Sequence, residues 1–340
     1  MKAQIYKIHS DFYYVKPEIY EGEFLTCKLR EVLKKQKLKI KVGDFVEVDE
    51  NCAITFLYPP KNTLERPAVS NLDLVAVVAS VLEPEIDYTQ LDRYLTFLKI
   101  HKIPAFICLN KDDLLAEEEL FKIKEKTKAI YEPLGYDIIF TSALFKEGLK
   151  EFKDYIKGKT VAFCGLSGVG KSSVLSAISN KQLRTGEVSK KTQRGCHTTR
   201  HVEIIEFGDI KIIDTPGFSK LTFDFILPKD LSDYFYDIKK YSTSCKFSNC
   251  LHTIEDEGCS VIKNLDKIPN TRYKSYIEFL DETKEFKQKV TFESQKKESG
   301  LKTDKNKNYT KISSKKREFS RKKLNQMTKN IHLTEGIEDD

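Results

Sequence analysis

The chain has 340 residues, 40% of them apolar and 32% charged, with a formal net charge of +7. That is enough for two or three domains with their own cores. The longest apolar run, LVAVVASVL at 74–82, is far too short to span a bilayer, and MKAQIYKIHS lacks the apolar stretch of a secretory signal. A cytoplasmic protein that works without a membrane, as a monomer, is expected.

Residues 1–62 alternate β-rich runs with polar turns: IYKI, FYYVK, FLTCKLR, KLKIKVGDFVEV and AITFLY. Five strands in so short a span suit a small barrel of the OB type, a frequent nucleic-acid binder. Lys34, Lys35, Lys37, Lys39 and Lys41 cluster here, and Tyr6, Phe12, Tyr13 and Tyr14 are placed to stack on RNA bases. The competing reading is that the aromatics fill a small core and the lysines form a solvated edge.

From about residue 63 to 220 the pattern changes to apolar strands alternating with amphipathic helices, the signature of a parallel sheet covered on both faces. Strand 74–81 precedes the helical stretch YTQLDRYLTFLKIH, and strand PAFICLN precedes a charged helix over 114–131. DIIFTSA, LKEFKDYIK and TVAFCG continue the alternation, and VEIIEF and IKIIDTPG form a predicted hairpin around Gly208-Asp209.

Loops at the strand ends carry the chemistry. Asn110, Lys111, Asp112 and Asp113 form an N-K-x-D tetrad, and Ser142 and Ala143 lie in a TSA stretch at the end of the next strand. Together they suit a guanine base. Asp113 would accept from N1–H and N2–H₂, Asn110 would anchor the loop near N7/O6, the Lys111 stem would lie along the ring, and the Ala143 N–H would face O6. An adenine, with its edge inverted, would leave Asp113 unpaired.

The phosphate loop comes later in the chain. Gly165, Leu166, Ser167, Gly168, Val169, Gly170, Lys171 and Ser172 fit G-x-x-x-x-G-K-[ST] between a strand and the helix that Ser173 continues. Its backbone N–H groups and helix N-terminus suit phosphates, Lys171 the β and γ phosphates, and the Ser172 hydroxyl Mg²⁺. Asp214 and Gly217 of DTPG would hold Mg²⁺ through a water and sense the γ-phosphate. Base-reading loops thus precede phosphate-binding ones, an order a sheet tolerates if the chain is circularly permuted.

Hydrolysis also needs a positioned water. Phe218, directly after DTPG, can neither donate nor accept a hydrogen bond. His197, in SKKTQRGCHTTR, is the candidate water-positioning residue, with a packing or RNA-binding histidine as the alternative. Thr198 or Thr199 would complete the Mg²⁺ set with Ser172 and Asp214. That loop is expected to order with GTP and Mg²⁺.

Beyond residue 220 the chain turns helical and aromatic. Cys245, Cys250, His252 and Cys259 then offer three thiolates and an imidazole, a closed tetrahedral set for one structural Zn²⁺ in a small domain over 221–285. Residues 286–340 are read as a basic, flexible tail. Between Lys284 and Lys329 stand 16 Lys or Arg against 5 Asp or Glu, so the positive charge resides there and the body is mildly acidic. A polyanionic partner, most simply RNA, suits that distribution.

The order of the loops, NTLERPAVSNLDLVAVV, GLSGVGKSS, GCHTTR, DTPGF, CKFSNCLH and RYKSYIEFL together resemble the RsgA (YjeQ) family of circularly permuted GTPases over about residues 1–285. The resemblance implies an OB-fold, a permuted GTPase domain and a zinc-binding domain. It also implies GTP hydrolysis stimulated by the small (30S) ribosomal subunit during its late maturation, and points to His197 as catalytic. Arg200 stands where the family often has threonine, and the loop between His252 and Cys259 is one residue longer. Two alternatives stay open: an RNA-binding factor holding GTP as a structural ligand, and a permuted GTPase of the large subunit.

Overall fold

A computed structural model describes residues 1–18, 23–36, 38–179, 202–214 and 221–298, with the backbone alone at 214 and 289–298. The first five strands are β1 (Lys2–His9), β2 (Phe12–Pro17), β3 (Leu25–Leu29), β4 (Phe45–Val48) and β5 (Ala53–Leu57), with helix α1 (Glu31–Lys35) between β3 and β4. Strand β1 pairs with both β2 and β4, which closes the barrel. Ala3, Ile5, Val15, Cys27, Val46, Val48 and Ile54 fill it. The described part of KLKIK, residues 38–41, read as part of a strand, is not one. Lys41 is buried there, its ammonium 2.8 Å from Glu65 and 2.5 Å from Thr63. Tyr6 is also buried. The expected lysine cluster and aromatic set therefore shrink by at least these two members, because Lys41 packs outside the barrel against residues 63–65 and Tyr6 enters the core shared with the following sheet.

The hairpin β6 (Thr63–Leu64) and β7 (Val69–Ser70) folds back on the barrel, with the Ser70 N–H donating to Val42 O at 2.9 Å. A doubly covered sheet follows. Its strands are β8 (Leu74–Ser80), β9 (Ala105–Asn110), β10 (Ile138–Thr141), β11 (Thr160–Cys164), β12 (Glu203–Phe207) and β13 (Ile210–Asp214). They run in the order β10-β9-β8-β11-β13-β12, all parallel except β12. Alternate residues of β8 face opposite cores. Val75 and Val77 meet helix α2 (Tyr88–Ile100), while Leu74, Ala76 and Val78 meet α4 (Leu149–Ile156) and α5 (Lys171–Ser179). Asp87 caps α2 by accepting the Gln90 N–H at 3.0 Å. Glu117–Glu119 open α3 (Glu117–Tyr131), where the helix dipole favours acids.

The chain closes with α6 (Tyr236–Ser242), α7 (Ser260–Lys263) and α8 (Asn270–Glu298). Tyr276, Phe279 and Leu280 of α8 share one continuous core with Leu91, Leu95 and Leu98 of α2. The barrel reaches the sheet through one antiparallel pairing of Lys7 with Glu203, which makes an 11-stranded sheet, and its Tyr6 and Val42 enter the same core. Among the described residues no helix is long and apolar enough to cross a membrane.

Candidate nucleotide and metal sites

Three of the sequence-predicted loops lie at the C-terminal ends of parallel strands of one sheet, where open α/β sheets bind ligands. The N-K-x-D tetrad follows β9, the TSA stretch closes β10 and the phosphate loop follows β11. Asn110 ties them together. Its Nδ2 donates to Val169 O in the phosphate loop at 3.0 Å, and its Oδ1 accepts from Thr141 Oγ1 and the Ala143 N–H, both at 3.2 Å. The Ala143 amide expected to face O6 is thus spent on Asn110 in this structure. Asp113 Oδ1 accepts from Ser142 Oγ at 2.6 Å, which fixes the orientation of the carboxylate. Lys111 adopts left-handed backbone geometry and its ammonium donates to Glu83 O. Asp112 turns inward, 3.5 Å from Lys124, and contributes to loop structure.

Two glycines of the phosphate loop are required by close approach. A Cβ on Gly165 would stand 2.1 Å from Val78 O, and one on Gly170 would stand 2.2 Å from Asn110 Nδ2, each at positive φ. The Lys171 ammonium donates to Gly165 O at 2.9 Å and Leu166 O at 2.6 Å, so it lies within the loop's curl. Burial lowers its pKa, a desolvation that an anion beside it would offset. Ser172 and Ser173 occupy the first turn of α5, and Asp214 ends β13 beside β11. His197, Thr198, Thr199 and Gly217 lie outside the described residues.

Near the C-terminus, one ligand atom each from Cys245, Cys250, His252 and Cys259 falls within 4.8 Å of the others. Cys245 Sγ and Cys259 Sγ are 3.8 Å apart, and each is 3.6 Å from His252 Nδ1. A tetrahedron with metal–sulfur bonds near 2.3 Å and a metal–nitrogen bond near 2.0 Å has edges of about 3.8 and 3.6 Å. The spacing therefore fits a metal ion. Further groups hold the ligands in place: Tyr273 Oη donates to His252 O at 3.1 Å, Tyr276 Oη to Leu251 O at 2.9 Å, and the Ser260 N–H to Cys245 Sγ at 3.3 Å.

A family model described as RsgA GTPase matches residues 55–224, and one described as the RsgA N-terminal domain matches residues 2–52. The chain belongs to the RsgA GTPase family. A third model, described as a 50S ribosome-binding GTPase, matches residues 160–292. Among curated RsgA proteins named small ribosomal subunit biogenesis GTPase, that of Alkaliphilus metalliredigens is 38% identical over 83% of this chain and 98% of its own. The Bacillus subtilis protein is 36% identical over 84% and 98%. The crystal structure of YjeQ from Thermotoga maritima superposes with a TM-score of 0.71 at 33% identity, covering 83% of this chain and 98% of that one. YloQ, titled a circularly permuted GTPase, gives 0.69 at 30% identity over 84% and 95%.

Within this RsgA architecture, two features had no sequence signal read for them. Arg93 of α2 donates to Leu221 O at 3.3 Å, just beyond the DTPG stretch, and to Glu278 and Glu282 of α8 at 2.9 Å. Arg272 of α8 bridges Asp92 of α2 at 2.6 Å and Asp237 of α6 at 3.0 and 3.2 Å. Both arginines look like surface charges in a linear reading. Only spacing of three or four between the acids of α8 hints at a shared face.

Proposed function

We propose that this chain hydrolyses GTP as a late maturation factor of the small (30S) ribosomal subunit, with turnover stimulated by that subunit. The observation that carries this reading is Asn110, whose side chain joins the base-reading, TSA and phosphate loops into one site although the first of these precedes the last by 55 residues. In that site Asp113 selects guanine, and the backbone of 165–170 with Lys171 holds the phosphates. Ser172, Asp214 and Thr199, or Thr198 in its place, would hold Mg²⁺, which when bound with GTP neutralises charge between the β and γ phosphates. His197 orients the attacking water, a task that Phe218 cannot perform.

The Cys₃His set would hold one structural zinc, since all four positions are protein ligands and none is open to substrate. The domain division at 1–62, 63–220, 221–285 and 286–340 assigns rRNA contact to the barrel and polyanion attraction to the basic tail. The protein acts as a cytoplasmic monomer that exchanges GTP and GDP. A second reading, GTP as a structural ligand of an RNA-binding factor, draws on Phe218 and on the large basic area of the chain. A large-subunit role has in its favour only the description of the model matching 160–292.

Turnover of GTP with and without isolated small subunits, beside His197→Ala, separates these. Strong stimulation lost in the variant supports the proposal in full. Stimulation that survives keeps the enzyme and removes His197 from water positioning. Tight GTP-dependent binding without stimulation supports the structural-ligand reading, and stimulation by large subunits alone supports the other.

A further inference from the structure

Two cysteines outside the metal set meet in the barrel. Strands β3 and β5 run parallel, with Lys28 opposite Ala53 and Leu29 opposite Ile54. One residue earlier on each side stand Cys27 and Cys52, and the Lys28 N–H donates to Cys52 O at 3.1 Å. Equal register on neighbouring strands sets backbones about 4.8 Å apart, inside the Cα separations of about 4.4–6.8 Å that a disulfide spans. Cys27 is buried in the barrel core, and half-buried Cys52 packs against that core. The two side chains interact: burial, and after it the Cys52 thiol, push the Cys27 thiol up to about 12.

The turn before β5 holds Cys52 in place. Asp49 Oδ1 accepts from the Asn51 and Ala53 N–H groups at 2.9 Å, and Asp49 O accepts from the Cys52 N–H at 3.2 Å. Cys52 itself sits at a φ of 55°, uncommon for a residue other than glycine. Among the described cysteines outside the metal set, Cys27, Cys108 and Cys164 are buried, and Cys52 alone is reached by solvent. Packing accounts for Cys27, because a buried thiol behaves as a small apolar group. It does not account for a second thiol beside it in a turn that water reaches.

We propose that Cys27 and Cys52 are a redox modification site, closing to a reversible disulfide when the chain meets a hydroperoxide. The Cys52 sulfur attacks one peroxide oxygen, so an S–O bond forms, the O–O bond breaks, and the other oxygen leaves with the thiol proton as water or an alcohol. The Cys27 sulfur then attacks the Cys52 sulfur. An S–S bond forms, the S–O bond breaks, and hydroxide leaves with the Cys27 proton as water. The two thiols together lose two electrons and two protons, and the peroxide gains them. Cys27 stays protonated until its neighbour is oxidised, so closure speeds up as pH rises. The link would tie the turn to β3 and enclose residues 28–51, which carry α1 and β4, restricting the unfolded barrel more than the folded one. A thiol reductant would reopen it.

The test treats the full, unaltered chain with hydrogen peroxide, blocks the remaining thiols, digests without reductant and maps the fragments by mass spectrometry. The expected result is a fragment that joins residues 27 and 52, lighter by two hydrogens than its reduced parts and separated again by dithiothreitol. It should form about tenfold faster in the folded chain than in the chain unfolded in urea, because the fold holds the two sulfurs together. Cys52→Ser should leave Cys27 reduced, and Cys27→Ala should leave Cys52 as a sulfenic acid that dimedone traps. The map of the unaltered chain does not depend on how these variants fold. In the oxidised chain, amide exchange in β3 and β5 should slow. Cys27 remaining free while Cys52 is oxidised, either residue joined to a different cysteine, a link no faster than in urea, or a Cys52 left intact while the metal-set thiols oxidise would each overturn the pair.

Discussion

The two ends of the chain are attached to the central sheet by different balances of contact. The C-terminal helices share a core with α2, and their charged contacts are sealed inside it: the side chains of Arg272 and Asp92 are 5% and 0% exposed. The barrel sends Tyr6 and Val42 into the same core, but its ion pair with the sheet at Lys7–Glu203 is one that water reaches, the side chains being 41% and 40% exposed. Burial makes the charged contacts of the first junction costly to disturb and insensitive to salt. Exposure makes those of the second inexpensive to lose and sensitive to salt. Ionic strength should therefore weaken the charged contacts of the barrel junction and leave those of the C-terminal junction nearly unchanged.

The largest effect should come from the metal ligands. If zinc holds the C-terminal unit together, Cys259→Ser or a strong chelator removes binding energy on the order of 10 kcal/mol from a short segment with little core of its own. Metal content by mass spectrometry should fall to near zero, and proteolysis should appear between residues 243 and 262. Nucleotide affinity should change far less. A chelated protein that keeps its protease resistance would contradict the prediction and equalise the two junctions.

Next comes Arg272→Met. Methionine fills similar space but leaves Asp92 and Asp237 buried without their cation. Loss of one partner of such a set costs about 3–5 kcal/mol. Burial alone would disfavour the charge on Arg272, and the two carboxylates outweigh it. Chemical denaturation should show a loss of that size at both 50 and 500 mM salt. A loss under 1 kcal/mol would show that the packing of Phe279 and Tyr276, not the ion set, holds this end.

The difference between the junctions also governs what could be read in advance. The loops GLSGVGKS, NKDD and the Cys₃His set were legible because each is defined by local spacing that one loop or turn must satisfy. The alternation of strands and helices was legible because the runs around Val75, Ile107 and Val161 are apolar on both faces. The junctions were not legible. Arg93, Arg272 and Asp92 are separated by as much as 189 residues from their partners, and nothing in a charged residue's neighbours tells whether it will be covered. Lys41 shows the same limit: flanked by other lysines, it is nonetheless buried, with only its exposed partner Glu65 reaching water. The pairing of β1 with β12 has no turn or motif to announce it, since both strands read simply as strands.

At the barrel junction a charge reversal is the sharper instrument, because it can be undone. Lys7→Glu places a carboxylate against Glu203, and Glu203→Lys places an ammonium against Lys7. Each should destabilise docking by up to about 1 kcal/mol at low salt and by less at 500 mM. The double reversal should recover most of the loss. Differential scanning calorimetry at the two salt concentrations, with the double-mutant coupling as the readout, checks this. A coupling near zero would mean that the strand pairing and the packing of Tyr6 and Val42, not this ion pair, hold the barrel.

The smallest effect concerns pH. Burial pushes the Glu206 carboxyl up, but Lys16 and Tyr6 outweigh it, and its folded pKa lies below the ordinary carboxylate value. An acid depressed in this way stabilises the docked barrel above its unfolded pKa of about 4.3, and the stabilisation is lost as pH falls through the lower folded value. Docking should therefore be nearly flat from pH 8 to 5 and weaken only under more acidic conditions, and Glu206→Gln should remove that acid-dependent part. Barrel-specific hydrogen exchange across this range is the measurement. A transition near pH 6.5 would assign the pH response to a histidine instead, and would make this junction a pH-sensitive one in addition to a salt-sensitive one.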